Sequence, residues 1–309
     1  MNTVISTRGL QKRFGRTIAL DGLDLTVDAG EIHGFLGPNG AGKSTTIRIL
    51  LGLARASGGE ATLFGSNPWT DAAGLHRRIG YVPGDVSVWP NLTGGEAIDL
   101  LSRLRGGVTD KADYESRKQR LIDVFQFDPR KKGRAYSKGN RQKVALIAAF
   151  ATPADLYLLD EPTSGLDPLM EQVFNREIAR VTAEGATVLL SSHILSEVEE
   201  LCDRVTIIRA GRTVESGTMA ELRHLTRTEI AFAAESVPMP FEEIEGSHDL
   251  LIDHGRVSFT VDSDRVASVL PELARLDVKG LTVSPPSLEE LFLRHYGDEL
   301  VTLGQAARS

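Results

Sequence analysis

The chain has 309 residues, 41% hydrophobic and 25% charged, with a formal net charge of −7. That length suits one large domain plus a small one with ample buried core, and the acidic balance argues against a general nucleic-acid binder, which is usually basic. A single cysteine, Cys202, excludes an intramolecular disulfide and fits a reducing compartment.

Residues 3–36 alternate short apolar segments with turns, and Asp28-Ala29-Gly30 marks a turn before the strand Glu31-Ile32-His33-Gly34-Phe35-Leu36. Gly37-Pro38-Asn39-Gly40-Ala41-Gly42-Lys43-Ser44-Thr45 follows and matches G-x-x-x-x-G-K-[ST], the P-loop pattern. Its glycines let backbone wrap closely around an anion, because no Cβ blocks positive φ or the approach of phosphate. The N–H groups at the start of the next helix then point at the phosphates. Lys43 supplies a compact positive charge for the β- and γ-phosphates, and the Ser44 hydroxyl is a ligand for Mg²⁺. The helix Thr46-Ile47-Arg48-Ile49-Leu50-Leu51 completes the strand–loop–helix context that this motif requires.

Residues 61–64 and 79–83 read as further short strands. A helical subdomain is expected at about 85–152, with helical periodicity at 96–104, 114–127 and 140–151. Strand and helix alternation resumes with a buried strand at 156–159, a helix at 168–182 and strands at 187–191 and 205–208. The fold class is therefore α/β, a P-loop core with a mostly parallel sheet, some antiparallel strands and right-handed crossovers, and a P-loop alone leaves kinases, GTPases and ATPases open. The most apolar run, residues 144–159, is broken by Pro153 and Asp155 and is too short to span a bilayer. The N-terminus has no apolar core like that of a signal peptide. If the protein acts at a membrane, another chain must supply the spanning part.

Leu156-Tyr157-Leu158-Leu159-Asp160-Glu161 is an apolar strand ending in two acids. Beside a P-loop, Asp160 is placed to hold Mg²⁺, and Glu161 to orient and deprotonate an attacking water. Asp167-Pro168 forms an N-cap and first-turn pair for the next helix. His193 ends the apolar run Val188-Leu189-Leu190-Ser191-Ser192, on a strand that should finish near the nucleotide, and is expected to contact the γ-phosphate. Lys43, Glu161 and His193 make up the expected catalytic set. Tyr136-Ser137-Lys138-Gly139-Asn140-Arg141-Gln142 sits ahead of a helix, and its Ser-x-Gly element is a second anion cradle. The basic cluster Arg130-Lys131-Lys132-Gly133-Arg134 reads as a solvated loop face, and Cys202 as a small buried residue.

In this order, the P-loop, Ser-x-Gly signature, Asp-Glu strand end, Ser164-Gly165-Leu166-Asp167 and Ser191-Ser192-His193 resemble the ATPase subunit of ABC transporters, over residues 3–222. The resemblance implies ATP as ligand with Mg²⁺, and a head-to-tail dimer of two copies. The signature of one copy then closes over ATP held by the P-loop of the other, so that Ser137 and Gly139 contact ATP across the dimer. Phe14 resembles the aromatic residue that stacks on adenine. Two positions depart from the family pattern. Where a glutamine follows the strand at 79–83 this chain has Gly84, which has no side chain to reach Mg²⁺ or water, so Asp85 or water must substitute or the sensing step is weaker. The signature reads Tyr-Ser-Lys-Gly-Asn, and Lys138 adds a charge of unassigned role.

Beyond a boundary near residues 222–227 the pattern changes to a small α+β domain, residues 223–309. Strands are expected at 229–234, 249–253 and 257–262, with two helices and a tight hairpin at His254-Gly255. Ser287-x-x-Glu290 after Pro285-Pro286 reads as a capping box. The following stripe of Leu288, Leu291, Phe292 and His295 reads as the core face of this domain. This part resembles the appended domain of bacterial drug-exporter ATPases of the daunorubicin- and tetronasin-resistance type. The implied function is the ATP-hydrolysing motor of an exporter. The implied partner is a separate polytopic ABC-2-like membrane subunit, and the implied location is the cytoplasmic face of the cell membrane. The alternatives are a soluble ABC-type ATPase not coupled to transport and an importer ATPase.

Overall fold

The computed structural model describes residues 2–106, 110–224, 227–233, 246–253, 255–262, 265–275 and 278–284. The chain divides into two compact units, Met1–Ser216 and Gly217–Ser309. The first begins with strands β1 (Thr3–Phe14), β2 (Thr17–Asp28) and β3 (Ile32–Leu36), then helix α1 (Lys43–Leu50), β4 (Gly58–Leu63), α2 (Ala72–His76) and β5 (Ile79–Val82). Helices α3 (Gly94–Leu104), α4 (Lys111–Val124) and α5 (Lys138–Ala151) follow. After them come β6 (Leu156–Asp160), α6 (Pro168–Ala183), β7 (Thr187–Ser192), α7 (Leu195–Leu201), β8 (Arg204–Arg209) and β9 (Arg212–Thr218), whose last residues, Gly217 and Thr218, fall in the second unit.

The principal sheet has the order β5-β6-β7-β3-β8-β9. The pairs β5/β6, β6/β7, β7/β3 and β3/β8 are parallel. Strands β3, β6 and β7 are buried along their whole length. Their near-continuous apolar sequences, without alternation, suit strands covered on both faces. A second, antiparallel sheet has the order β2-β1-β4. The opening residues form two twelve-residue strands rather than short pieces, because register shifts between Thr7 and Leu10 and near Lys12 break the alternation that sequence periodicity detects. The strand expected at 61–64 stops at Leu63, since Phe64 turns into the left-handed region at φ 51°.

Capping residues set where the helices begin. Thr93 and Glu96 form a reciprocal capping box, so α3 starts two residues before its apolar pattern. Asp110 caps α4, Ser137 caps α5, and Asp167 accepts from Met170 N at 3.0 Å to cap α6, with Pro168 in its first turn.

The second unit contains α8 (Met219–His224), β10 (Arg227–Ala233), β11 (Ser247–Asp253), β12 (Arg256–Asp262), α9 (Val266–Arg275) and β13 (Thr282–Ser284). Its sheet, β11-β12-β10-β13, is antiparallel. Ile230 and Phe232 on β10 and Val257, Phe259 and Val261 on β12 recur at period two and are buried with Val269 and Leu273 of α9. Each such side chain contributes roughly 1.5–3 kcal/mol on burial. Gly255 takes φ 78° between β11 and β12. Ala234, His254, the Pro285-Pro286 segment, the Ser287/Glu290 capping box and the stripe from Leu288 to His295 lie outside the described residues.

Candidate functional site

Parallel register brings the sequence motifs together. Leu36 of β3 lies opposite Ser192 of β7, Asp160 of β6 opposite Ser191, and Val82 of β5 opposite Leu159. These strands run the same way, so the segments that follow emerge together at the carboxyl ends of the strands. They are the P-loop after β3, Glu161 after β6, His193 after β7 and Pro83-Gly84-Asp85 after β5. Ligands of open α/β sheets bind outside the carboxyl ends of the strands. Here these segments line a cavity of about 490 Å³, together with Pro38, Asn39, Gly40, Gly42, Lys43, Ser44, Thr45, Asp160 and Ser164.

The loop needs its glycines. Gly40 and Gly42 have φ of 83° and 114°, and a Cβ on Gly42 would lie 2.6 Å from Leu20 Cδ2. A Cβ on Gly37 would meet the Ile208 carbonyl at 2.6 Å. Gly37 and Ala41 shape the loop from behind: Ala41 is buried, and its carbonyl accepts from Gly211 N at 2.9 Å. Gly42 caps α1 without a side-chain hydrogen bond, which leaves the first-turn N–H groups and the positive end of the helix available to an anion. Lys43 is only 6% exposed. Its ammonium donates to Gly37 O at 2.5 Å and Pro38 O at 3.4 Å, and lies 3.4 Å from Glu161 Oε1.

Asp160 is buried, and its Oδ1 accepts from the Ser191 hydroxyl at 2.6 Å. That bond aims the carboxylate and holds it as an acceptor. Glu161 adopts φ 50°, unusual for a residue with a Cβ. Its Oε2 accepts from His193 Nδ1. Arg48 and Tyr81 also line the cavity, although sequence reasoning did not single them out. The Tyr81 hydroxyl is pushed above its ordinary pKa, first by burial and then by the charge of Asp160, with Arg48 opposing. Gly84 and Asp85 both line the cavity, and a Cβ on Gly84 would stand 3.3 Å from Asp160 O.

The Ser-x-Gly element forms the N-cap and first turn of α5. Ser137 Oγ accepts from Asn140 N at 3.3 Å and Asn140 Nδ2 at 3.2 Å. Lys138 Nζ donates to Ser164 Oγ at 2.7 Å, and a Cβ on Gly139 would meet Gly165 O at 2.3 Å. Gln142 Nε2 donates to Pro162 O at 2.9 Å. The start of α5 is thus packed on the strip that follows Glu161, while Ser137 itself faces solvent. Neither Ser137 nor Gly139 is among the described residues lining the cavity, and neither is Phe14. Phe14 ends β1, is 51% exposed and carries the Lys12 ammonium 4.7 Å above its ring. In the basic cluster, Arg130 is paired with Asp128 at 3.1 Å and solvated. Cys202 is buried at the end of α7, and burial, then Asp203 and Glu197, push its thiol pKa up.

The donor set suits polyphosphate with Mg²⁺. Mg²⁺ is usually held by one or two protein oxygens plus substrate phosphates, and Ser44 and Asp160 offer a hydroxyl and a carboxylate beside the cradle. Among the described residues no group of three or more His, Cys, Asp and Glu offers a metal cage.

Comparisons with known proteins agree with this geometry. The ABC transporter family profile matches residues 20–164. The chain is 38% identical over 311 residues to the daunorubicin/doxorubicin resistance ATP-binding protein DrrA of Streptomyces peucetius, covering 95% of this chain and 93% of that protein. It is 31% identical to the bacitracin transport ATP-binding protein BcrA of Enterococcus faecalis, covering 96% and 97%. A solved ATP-binding subunit of an ABC transporter superposes with a TM-score of 0.67 at 32% identity, covering 72% of this chain and 92% of that one. With the P-loop, the paired acids and the histidine at the carboxyl ends of the strands, the chain belongs to the ATP-binding subunits of ABC transporters and is an ATPase.

Proposed function

We propose that this chain is the motor subunit of an exporter for drug-like or antibiotic molecules, with the ATPase domain at residues 1–222 and an accessory domain at 223–309. The observation that carries the reading is the convergence of Lys43, Asp160, Glu161 and His193 at the carboxyl ends of parallel strands. Lys43 leaves its loop carbonyls for the β- and γ-phosphates, and the N–H groups of residue 40 and residues 42–45 surround the same oxygens, while the Ala41 N–H donates within the loop to Pro38 O at 3.1 Å. Ser44 and Asp160 would hold Mg²⁺, which would neutralise charge on the phosphates; Asp85 is the further oxygen available in place of the absent glutamine. Glu161 orients a water and takes its proton as the water attacks the γ-phosphorus and ADP leaves. His193 holds Glu161 through Nδ1 and contacts the γ-phosphate. Phe14 stacks on adenine.

Two copies act head to tail, with Ser137 and Gly139 of one completing the ATP site of the other. ATP favours the closed pair because its γ-phosphate bridges both copies, and hydrolysis removes that differential affinity. Among the described residues no helix is long and apolar enough to cross a membrane. An ABC-2-like membrane subunit therefore carries the substrate, and this chain sits on the cytoplasmic face through it. A second cavity supports such docking. It is about 510 Å³, lies within the first unit and is lined by Leu51, Leu53, Trp89, Leu101 and Leu104. Leu53 and Leu104 are 63% and 70% exposed, and contiguous apolar surface of this kind marks interaction sites. The two named relatives, a daunorubicin/doxorubicin resistance protein and a bacitracin transport protein, support a drug-like cargo.

Glu161→Gln tests the chemistry. The variant is expected to bind ATP and to lose turnover by roughly 10²–10⁴-fold, the contribution of a positioned general base; turnover at the wild-type rate would refute the assignment.

A further inference from the structure

We propose that Glu197 is a positioning residue for hydrolysis: it clips the loop carrying Glu161 to the turn carrying His193. The inference rests on the roles given above to those two residues. Glu197 lies on α7, four residues beyond His193. Its Oε1 accepts from the Thr163 hydroxyl at 2.7 Å, and its Oε2 accepts from the Ser192 hydroxyl at 2.9 Å. Thr163 stands two residues after Glu161, and Ser192 directly precedes His193. Both hydroxyl residues are buried, at 6% and 1% exposure. One carboxylate therefore spans the two segments whose ends meet in the Glu161–His193 hydrogen bond.

The local backbone needs such a clip. Glu161 sits at positive φ, and a conformation of that kind persists only where its surroundings over-determine it. Its own N–H donates to Ser191 O at 3.0 Å, which fixes it against β7, and Gln142 fixes the next carbonyl, Pro162 O. Thr163 to Glu197 then anchors the far side of the turn. Across the site, Ile194 N donates to Ser192 Oγ at 2.9 Å. The Ser192 hydroxyl thus closes the turn around His193 while donating to Glu197. Without Glu197 the two turns are free to drift apart, and displacement of a reacting group by about 1 Å can cost roughly 10²-fold in rate.

A purely structural role, tying down α7, would lower melting temperature and ATP affinity and leave saturated turnover alone. The test therefore separates these readouts. Glu197→Ala is expected to lower kcat by roughly 10- to 100-fold, with affinity for a fluorescent ATP analogue unchanged within about twofold. Glu197→Gln is expected to keep kcat within about threefold, because an amide can accept from one hydroxyl and donate to the other. Thr163→Val, which keeps volume and removes the hydroxyl, should reproduce part of the loss and add nothing in the Glu197→Ala background, as expected of residues acting through one contact. Wild-type kcat in Glu197→Ala, an equal loss in Glu197→Gln, or a fall in analogue affinity matching the fall in kcat would each overturn the proposal. Glu161→Gln measured alongside separates the two levels. Wild-type turnover there removes the base and Glu197's role with it, whereas an inactive Glu161→Gln beside a fully active Glu197→Ala removes the role of Glu197 alone.

Discussion

At the loop preceding α1, several strand ends, a buried lysine and two acids surround a cavity; at the start of α5, Ser137 faces solvent and Gly139 packs against Gly165. Both are helix N-termini. The first is concave because parallel strands deliver their loops together at their carboxyl ends. The second is backed by the strip after Glu161, through Lys138, Gly139 and Gln142, and its outward face is open. One chain thus gathers the segments of a phosphate cradle at α1 and presents an open polar turn at the start of α5. In the proposed head-to-tail pair, that turn faces the nucleotide held by the other copy.

Damage to the two helix starts should give losses that differ in kind. Lys43→Ala removes the buried ammonium and is expected to lower ATP turnover by roughly 10²–10³-fold or more, as for loss of a preorganised charge-stabilising group. Turnover near the wild-type rate, measured as phosphate release, would show that the nucleotide lies elsewhere.

Gly139→Ala sharpens the other side. Its new methyl would meet Gly165 O at 2.3 Å, and overpacking of this kind costs about 1–3 kcal/mol. ATP-dependent self-association should weaken while a single copy still binds ATP, as read by ultracentrifugation and nucleotide titration. Unchanged association and an unchanged melting curve would contradict the packing described for α5.

A milder change is expected at the end of α7. Cys202 is buried, and its thiol pKa is raised by that burial, then by Asp203 and Glu197. The reactive thiolate is therefore scarce at pH 7–8, and its population falls further as pH drops. Iodoacetamide should label the native protein far more slowly than the unfolded chain, as followed by mass spectrometry. Equal rates would show that α7 is open in solution.

Much of the site was legible because phosphate chemistry demands consecutive residues. The glycines, Lys43 and Ser44 form one uninterrupted string, and Asp160-Glu161 end one apolar run. The parallel sheet was legible for a related reason, since strands covered on both faces are apolar throughout. What stayed hidden depends on register and helix face. Ser191 supports Asp160 from 31 positions away, and Arg48 and Tyr81 reach the cavity only because α1 and β5 lie where they do. Glu197 reads in sequence as one acid among several on a short amphipathic helix. Lys138 was visible as a departure, yet its partner Ser164 lies 26 residues further on. The length of β1 and β2 was masked by their register shifts, which destroy the alternation that marks a strand.

Whether each ATP is cut between the cradle of one copy and the signature turn of another can be read from a mixture of two crippled variants. Lys43→Ala keeps its signature turn, and Ser137→Glu keeps its P-loop while setting a carboxylate against the phosphates. Each alone is expected to be inactive, and an equimolar mixture should recover ATP hydrolysis, because mixed pairs contain one intact composite site. A mixture no more active than the sum of its parts would contradict the account.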